Sequence, residues 1–239
     1  MKATRLADSM WVLVAASAVL AMGLMCGCLS TFQARTAVPS GFLGDYSQLK
    51  KGTNGQPLLV YVDPRADFTK YGKIMMDPVR MYAAKPDSDL ARVSKEDQQR
   101  LVNYFDAALR QRLKADYALV AQTGPDVMRL RVAITEAKGA KVLLDTASTV
   151  TPIGLAISGL KTIATGSGTS VGSIGAEFEV LDSTTQERLA AAVDERIGRK
   201  ITGKFDKFNK WRTAEDSFDY WAERVQTRLR EASGKAVSR

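Results

Sequence analysis

No histidine occurs anywhere in this chain. That removes Ser-His-Asp and Cys-His catalysis, histidine-ligated zinc and the usual near-neutral general base. What survives is carboxylate-only chemistry, a Ser-Lys pair, or no chemistry at all. Cysteine is almost as scarce, with Cys26 and Cys28 the two in the chain. The uncharged run from Met10 to Met25 is shorter than the ~20 residues that cross a bilayer core comfortably, so a permanent span is disfavoured. Acidic residues are outnumbered, 26 against 34 basic, for a net charge of +8.

The scarce cysteines sit where they carry most meaning. Lys2 and Arg5 make a short basic start before the uncharged run, and Met25-Cys26-Gly27-Cys28 ends it with a small residue directly before a cysteine. Gly27 suits a signal peptidase pocket, whereas cleavage before Cys26 would place bulky Met25 there. This pattern resembles the export signal of bacterial lipoproteins. The resemblance implies cleavage after Gly27, a diacylglyceryl thioether on Cys28 and an acylated amino end, so that three chains anchor the protein. An uncleaved helical anchor, or two ordinary cysteines, is the alternative. Leu29, where an Asp would imply inner-membrane retention in such lipoproteins, favours the outer membrane, with the domain facing the periplasm. Removal of residues 1–27 takes Cys26 away and leaves no intramolecular disulfide. For an exported basic protein the available polyanions are lipid headgroups, lipopolysaccharide and wall polymers, and no nucleic-acid partner is expected.

Residues 28–56 read as a lipidated start and tether, rich in Ser, Thr, Gly and Pro. Within them, Ser40 to Lys50 is apolar enough to dock on the domain. A single domain over 57–239 follows. Strands are predicted at Leu58 to Val62 and at Lys73 to Tyr82, the latter interrupted by Pro78 and therefore at an edge or bulge. Ser94 to Ala115 is predicted helical, because Leu101, Phe105, Ala108, Leu109 and Leu113 recur at helical spacing behind a Ser94 cap. Tyr117 to Ala121 and Met128 to Thr135 read as strands. Ala176 to Val180 and Leu189 to Ile197 form a predicted hairpin, with Phe178 and Val180 inward and Glu177 and Glu179 outward. The return arm also fits helical spacing, but its partner needs pairing. A last helix from Ala214 to about Ala232, capped by Thr213, buries Phe218, Trp221, Ala222, Val225 and Leu229. The expected fold is α+β, a mainly antiparallel sheet covered by two or three amphipathic helices.

Several segments together carry a family resemblance. They are Gly41-Phe-Leu-Gly-Asp-Tyr46-Ser-Gln-Leu-Lys50, Tyr61-Val-Asp-Pro64, Lys73-Ile-Met-Met-Asp-Pro78-Val, Leu181-Asp-Ser183 with Glu187-Arg-Leu-Ala-Ala-Ala-Val-Asp194, and Phe218-Asp-Tyr-Trp-Ala222. In order and spacing they are similar to the bacterial lipoprotein family called domain of unknown function 3313, across nearly all of the mature chain. The resemblance implies an envelope lipoprotein domain with no established reaction, so it supplies no catalytic residue.

Three constellations are candidates for function. Thr151 to Gly175 opens as a short apolar helix with Ile153, Ile157 and Leu160 on its face, followed by a glycine-rich exit. It reads as a third core helix, or as a contact to a partner, a membrane surface or a second copy. Arg199, Lys200, Lys204, Lys207, Lys210 and Arg212 interleave with Phe205, Phe208 and Trp211, which suits an anionic, partly apolar surface. The plainer reading is a solvated loop whose aromatics pack under the last helix. Ser158-Gly-Leu-Lys161 matches the S-x-x-K spacing without its companion signatures. Glu177 with Glu179, or Asp63, Asp67 and Asp77, could pair as acids or hold a hard cation, but outward alternation and loop position account for them. The expectation is therefore a non-catalytic module. It has no catalytic residue, no metal and no cofactor beyond the lipid on Cys28, and it binds the membrane through that lipid and an envelope protein, lipopolysaccharide or wall polymer as partner. The alternatives are a self-associating export or pore-type lipoprotein using 151–175, and a histidine-free envelope enzyme. Oligomeric state stays open.

Overall fold

Three long antiparallel strands form the centre of the molecule: β7 (Val127–Lys138), β8 (Ser173–Asp182) and β9 (Arg188–Gly198). The structure is a computed structural model and describes residues 31–83, 85–138, 172–198 and 211–235. Leu130 faces Val180 and Val132 faces Phe178 across one ladder, and Phe178 faces Ala192 across the next. Two short strands share the outer edge of β9. β1 (Thr31–Gln33) pairs with residues 196–198, and β3 (Leu59–Val62) pairs with residues 190–193, with β2 (Lys50–Lys51) beyond it. On the far side β7 receives β4 (Lys73–Met76) and β5 (Arg80–Met81), and β6 (Ala118–Val120) lies outside β4. The nine-stranded sheet of the described residues runs β2-β3-β9-β8-β7-β4-β6.

The fold is α+β in one domain, and its sheet is mixed. The ladders of β1, β2, β3, β8 and β9 are antiparallel, but β4, β5 and β6 join in parallel. The reason is the crossover: the helix between β4 and β6 returns the chain to the same end of the sheet, which a hairpin cannot do. Pro78 does break the ladder, on the outer edge expected of it: β6 covers β4 only at residues 73–75, and β5 pairs with β7 alone among the described strands. The proline falls between β4 and β5, both held by β7, where Asp77 forks onto Arg129 at 2.9 and 2.8 Å.

Both helices cover one face. α1 (Lys95–Leu113) starts at Ser94, whose hydroxyl accepts the Asp97 N–H, with Glu96 and Asp97 in the first turn where the helix dipole favours them. It buries Leu101, Phe105, Leu109 and Leu113. α2 (Arg212–Ala232) buries Phe218, Trp221, Ala222 and Leu229 as its spacing predicts. Its cap differs from expectation. Trp211, with no side-chain cap bond, precedes the first turn, and Thr213 lies inside the helix. Phe105 stacks on Phe218 at 4.3 Å between ring centres, and both Phe105 and Trp221 meet Phe178 edge-on. These rings weld the helix pair to the sheet.

The other face is also covered, in part by the docking expected of Ser40 to Lys50. From Thr31 onward the stretch expected to be a tether is part of the fold. Phe42 and Leu43 pack on Ala133, Ala191 and Val193, with Tyr46 and Leu49 beside them. The outward side of β7, β8 and β9 is apolar enough at these positions to need a lid, and residues 34–49 supply it. The expected helix within 151–175 lies outside the described residues. Among the described residues no helix is long and apolar enough to cross a membrane.

Candidate functional site

Alanine is a poor filler, and β9 carries three in a row. Ala190 and Ala192 point at α2, on the same side as Phe178 and Val180 across the ladder. Side chains this short leave space under the helix. The result is an open groove of about 410 Å³, walled by α2 from Tyr220 to Ala232 and by β3, and floored by the alanines with Val180 and Leu130. A volume of this size is within the range of small-molecule sites, which are mostly apolar with a few placed polar groups.

Those polar groups are present. Asp194 lies at the groove beside Trp221, whose indole N–H donates to it at 2.8 Å. The Gln33 amide donates at 2.6 Å and the Leu58 N–H at 3.3 Å to its other oxygen. Burial pushes the Asp194 carboxyl up, against the pull of Trp221, Gln33 and the Arg196 charge. Arg196 stacks on the Tyr220 ring at 3.7 Å and donates to the hydroxyl and carbonyl of Thr31 at 2.9 and 3.0 Å. Burial lowers its own affinity for the proton. Along the rim, Arg224 and Arg228 both donate to the Gly55 carbonyl, at 2.8 and 3.3 Å, and Arg228 also pairs with Glu231 at 3.1 Å. Gly55 has φ of +79°, the left-handed region in which glycine aims this carbonyl without strain.

Chemically, the groove offers apolar surface with a few charged groups at its margin. The Asp194 oxygens are occupied by donors, and the rim offers guanidinium groups that stay protonated. Charge and apolar surface together suit recognition of a ligand with one polar end.

A second polar constellation lies on the opposite face. Glu177 and Glu179, expected to point outward into solvent, are 0% and 3% exposed. They do alternate outward from the helix side, but the 34–49 segment closes over them. Glu177 accepts the Ser40 N–H at 2.7 Å and the Tyr46 hydroxyl at 2.6 Å. Burial, and next this bond to Glu177, raise the Tyr46 phenol. Glu179 accepts Arg188 at 2.8 Å and Arg131 on its other oxygen. Arg188 reaches on to the carbonyls of Leu43 and Asp45, both at 2.7 Å. Every carboxylate oxygen has a protein donor, so the pair is a clasp for the covering segment rather than an acid–base couple.

The remaining sequence candidates separate. Asp63 is held by Arg65, Asp67 caps the turn at Thr69, and Asp77 is forked by Arg129, so the three do not converge. No cluster of three or more metal-binding side chains occurs among the described residues. Trp211, a candidate for an anionic surface, is buried in the helix–sheet core at the start of α2, in line with the plainer reading that the aromatics of this stretch pack under the last helix. Arg212 is exposed and lies 3.7 Å from Asp216, one turn along α2. Gly27, Cys28, Ile153, Ile157, Ser158, Leu160, Lys161, Arg199, Lys200, Lys204, Lys207 and Lys210 lie outside the described residues. Sequence reasoning missed Ala190, Ala192, Tyr220, Arg224 and Arg228. Two signals were available: three alanines in a strand, where branched residues are the norm, and a Tyr-Arg-Arg stripe spaced by four on the last helix.

Residues 38–225 match the model of a family described as "Protein of unknown function (DUF3313)". The chain is 29% identical over 167 residues to the uncharacterized lipoprotein YdcL of Escherichia coli strain K12, covering 69% of this chain and 73% of that protein. Among solved structures it is similar to the PelC dodecamer from Paraburkholderia phytofirmans, with a TM-score of 0.37 and 13% identity over 71% of this chain and 94% of that one. A DUF4136 family protein from Bacteroides thetaiotaomicron is similar with a TM-score of 0.34 and 11% identity, over 71% of this chain and 94% of the other.

Proposed function

The chain belongs to the DUF3313 family of proteins of unknown function, and from that premise we propose that it is a lipid-anchored lipoprotein of the cell envelope that binds another envelope component without catalysing a reaction. Its anchor is Cys28, exposed as the new amino end by cleavage after Gly27, and its place is the outer membrane, with the domain facing the periplasm. The similarity to an uncharacterized lipoprotein over most of both chains supports the anchor. The groove under α2 carries the binding role, since it is apolar and of ligand size and its one buried carboxyl is already occupied by donors. Lipid on Cys28 confines that groove near the bilayer and raises its effective concentration for components there.

Metabolic labelling with an alkyne analogue of palmitate, followed by membrane fractionation, tests the anchor. Wild-type protein takes up label and sediments with outer membranes, and Cys28→Ser loses both. Label retained by Cys28→Ser, or an intact mass showing a bare thiol at position 28, would overturn the reading.

A further inference from the structure

We infer that the groove beneath α2 binds a single acyl chain bearing an anionic headgroup, a reading that rests on the binding role proposed for this groove and names its ligand class. Shape comes first. The groove follows α2 from Tyr220 to Ala232, thirteen residues, and the twelve rises between them at 1.5 Å each span about 18 Å. A hydrocarbon chain lying along this apolar length would meet its walls with carbon contacts at about 3.5–4.0 Å. At about 30 Å³ for a water, and slightly less for a methylene, the volume corresponds to a chain of about fourteen to sixteen carbons. Ala190 and Ala192 set the section, because a larger side chain at either position would stand in the slot.

Charge selects the head. Two guanidinium groups line the groove, Arg224 and Arg228, while Arg196 is stacked on the Tyr220 ring at 3.7 Å. Asp194 and Glu231 are the acids beside them. Asp194 is occupied by Trp221, Gln33 and Leu58, and Glu231 is paired with Arg228. Arg224 is the cation left over. Its contacts among the described residues are the Gly55 carbonyl at 2.8 Å and the Tyr220 ring at 5.8 Å, neither of which carries a full negative charge. A carboxylate or phosphate beside the Arg224–Arg228 pair would replace a bond to a neutral carbonyl with a charge-assisted one. The chain's own acyl groups on Cys28 are joined through uncharged linkages and would not answer Arg224.

The test uses the native full-length protein in membrane vesicles with three photoreactive probes of equal chain length: a fatty acid, a lysophosphatidylglycerol and an uncharged monoacylglycerol. Cross-linked peptides are then mapped by mass spectrometry. Both anionic probes are expected on the strand 188–198 and the helix 212–232, with the monoacylglycerol weaker by about tenfold, the worth of one charge-assisted bond. The relative strength of the two anionic probes tells a free fatty acid from a phospholipid-derived source. Ala192→Trp, which plugs the slot, is expected to remove this labelling. Arg224→Gln is expected to bring the anionic probes down to the monoacylglycerol level without altering the latter. Excess unlabelled fatty acid displacing the probe from wild type gives the same answer without any variant, should the tryptophan fail to fold. Labelling scattered over the surface, equal labelling by charged and uncharged probes, or a groove protected by the protein's own acyl chains would each overturn the proposal. None of these outcomes shows Cys28 without lipid, so ligand class and anchor fail separately.

Discussion

Acid should strip a defined share of stability from this fold through one carboxyl. Asp182 closes β8 at the head of the turn into β9. One oxygen accepts the N–H groups of Thr184 and Thr185 at 2.8 and 3.0 Å, and the other accepts the Tyr71 hydroxyl at 2.7 Å with Lys70 at 3.5 Å. Burial alone would raise its pKa, but these donors outweigh it and bring the group from 3.8 down to about 2. At about 1.4 kcal/mol per unit, a shift of this size is worth about 2 kcal/mol. The side chain is 9% exposed, so solvent screening takes little from that figure. Because the folded state holds the proton less tightly than the unfolded chain, the contribution is complete above about pH 4 and is lost as pH falls toward 2. Urea unfolding followed by tryptophan fluorescence, repeated from pH 7 to pH 2, reads it directly. Asp182→Asn keeps the shape and the turn acceptor but removes the charge. It should be less stable than wild type by about 2 kcal/mol at pH 7 and equal to it at pH 2. A difference that stays constant over that range would refute the electrostatic account and assign the loss to the turn itself.

Arg188→Ala should cost about 3 kcal/mol, the loss typical when one partner of a buried ion pair is removed. It should also expose the 40–50 segment to proteolysis, since the Leu43 and Asp45 carbonyls lose their donor. Trp221→Phe removes a donor from Asp194, whose carboxyl burial has already raised. Its destabilisation, on the order of 1–2 kcal/mol by urea titration, should shrink as pH falls and the carboxyl takes up a proton, because the protonated group needs the donor less. Glu195 is pushed up to about 7, chiefly by burial and further by Glu136 and Asp194, against Lys138 and Ser173. A folded pKa above the unfolded one means that stability falls as pH rises from about 4.5 through 7. Glu195→Gln should therefore raise the melting temperature at pH 8 and leave it nearly unchanged at pH 4.

Local pattern was enough for much of the architecture. The stripes of Leu101, Phe105 and Leu109 on one helix and of Phe218, Trp221 and Leu229 on the other are periodic in the sequence and buried in the structure. The alternation of Leu130, Val132 and Ile134, and the 176–197 hairpin, are equally local signals that the fold keeps. Chemistry was bounded in the same way, because a chain without histidine forgoes whole classes of catalysis whatever its shape. Only the tertiary structure decided what each surface meets. Glu177 and Glu179 read as solvent-facing because their partners, Tyr46 and Ser40 for one and Arg131 and Arg188 for the other, include groups up to 137 residues away. Parallel pairing of β4 and β6 required the helix between them to choose a side. The groove is a property of neither β9 nor α2 alone. Alanine side chains become empty space when a helix is held above them at a distance set by Phe178, Trp221 and the rest of the core, and a periodicity read along one strand contains no such distance.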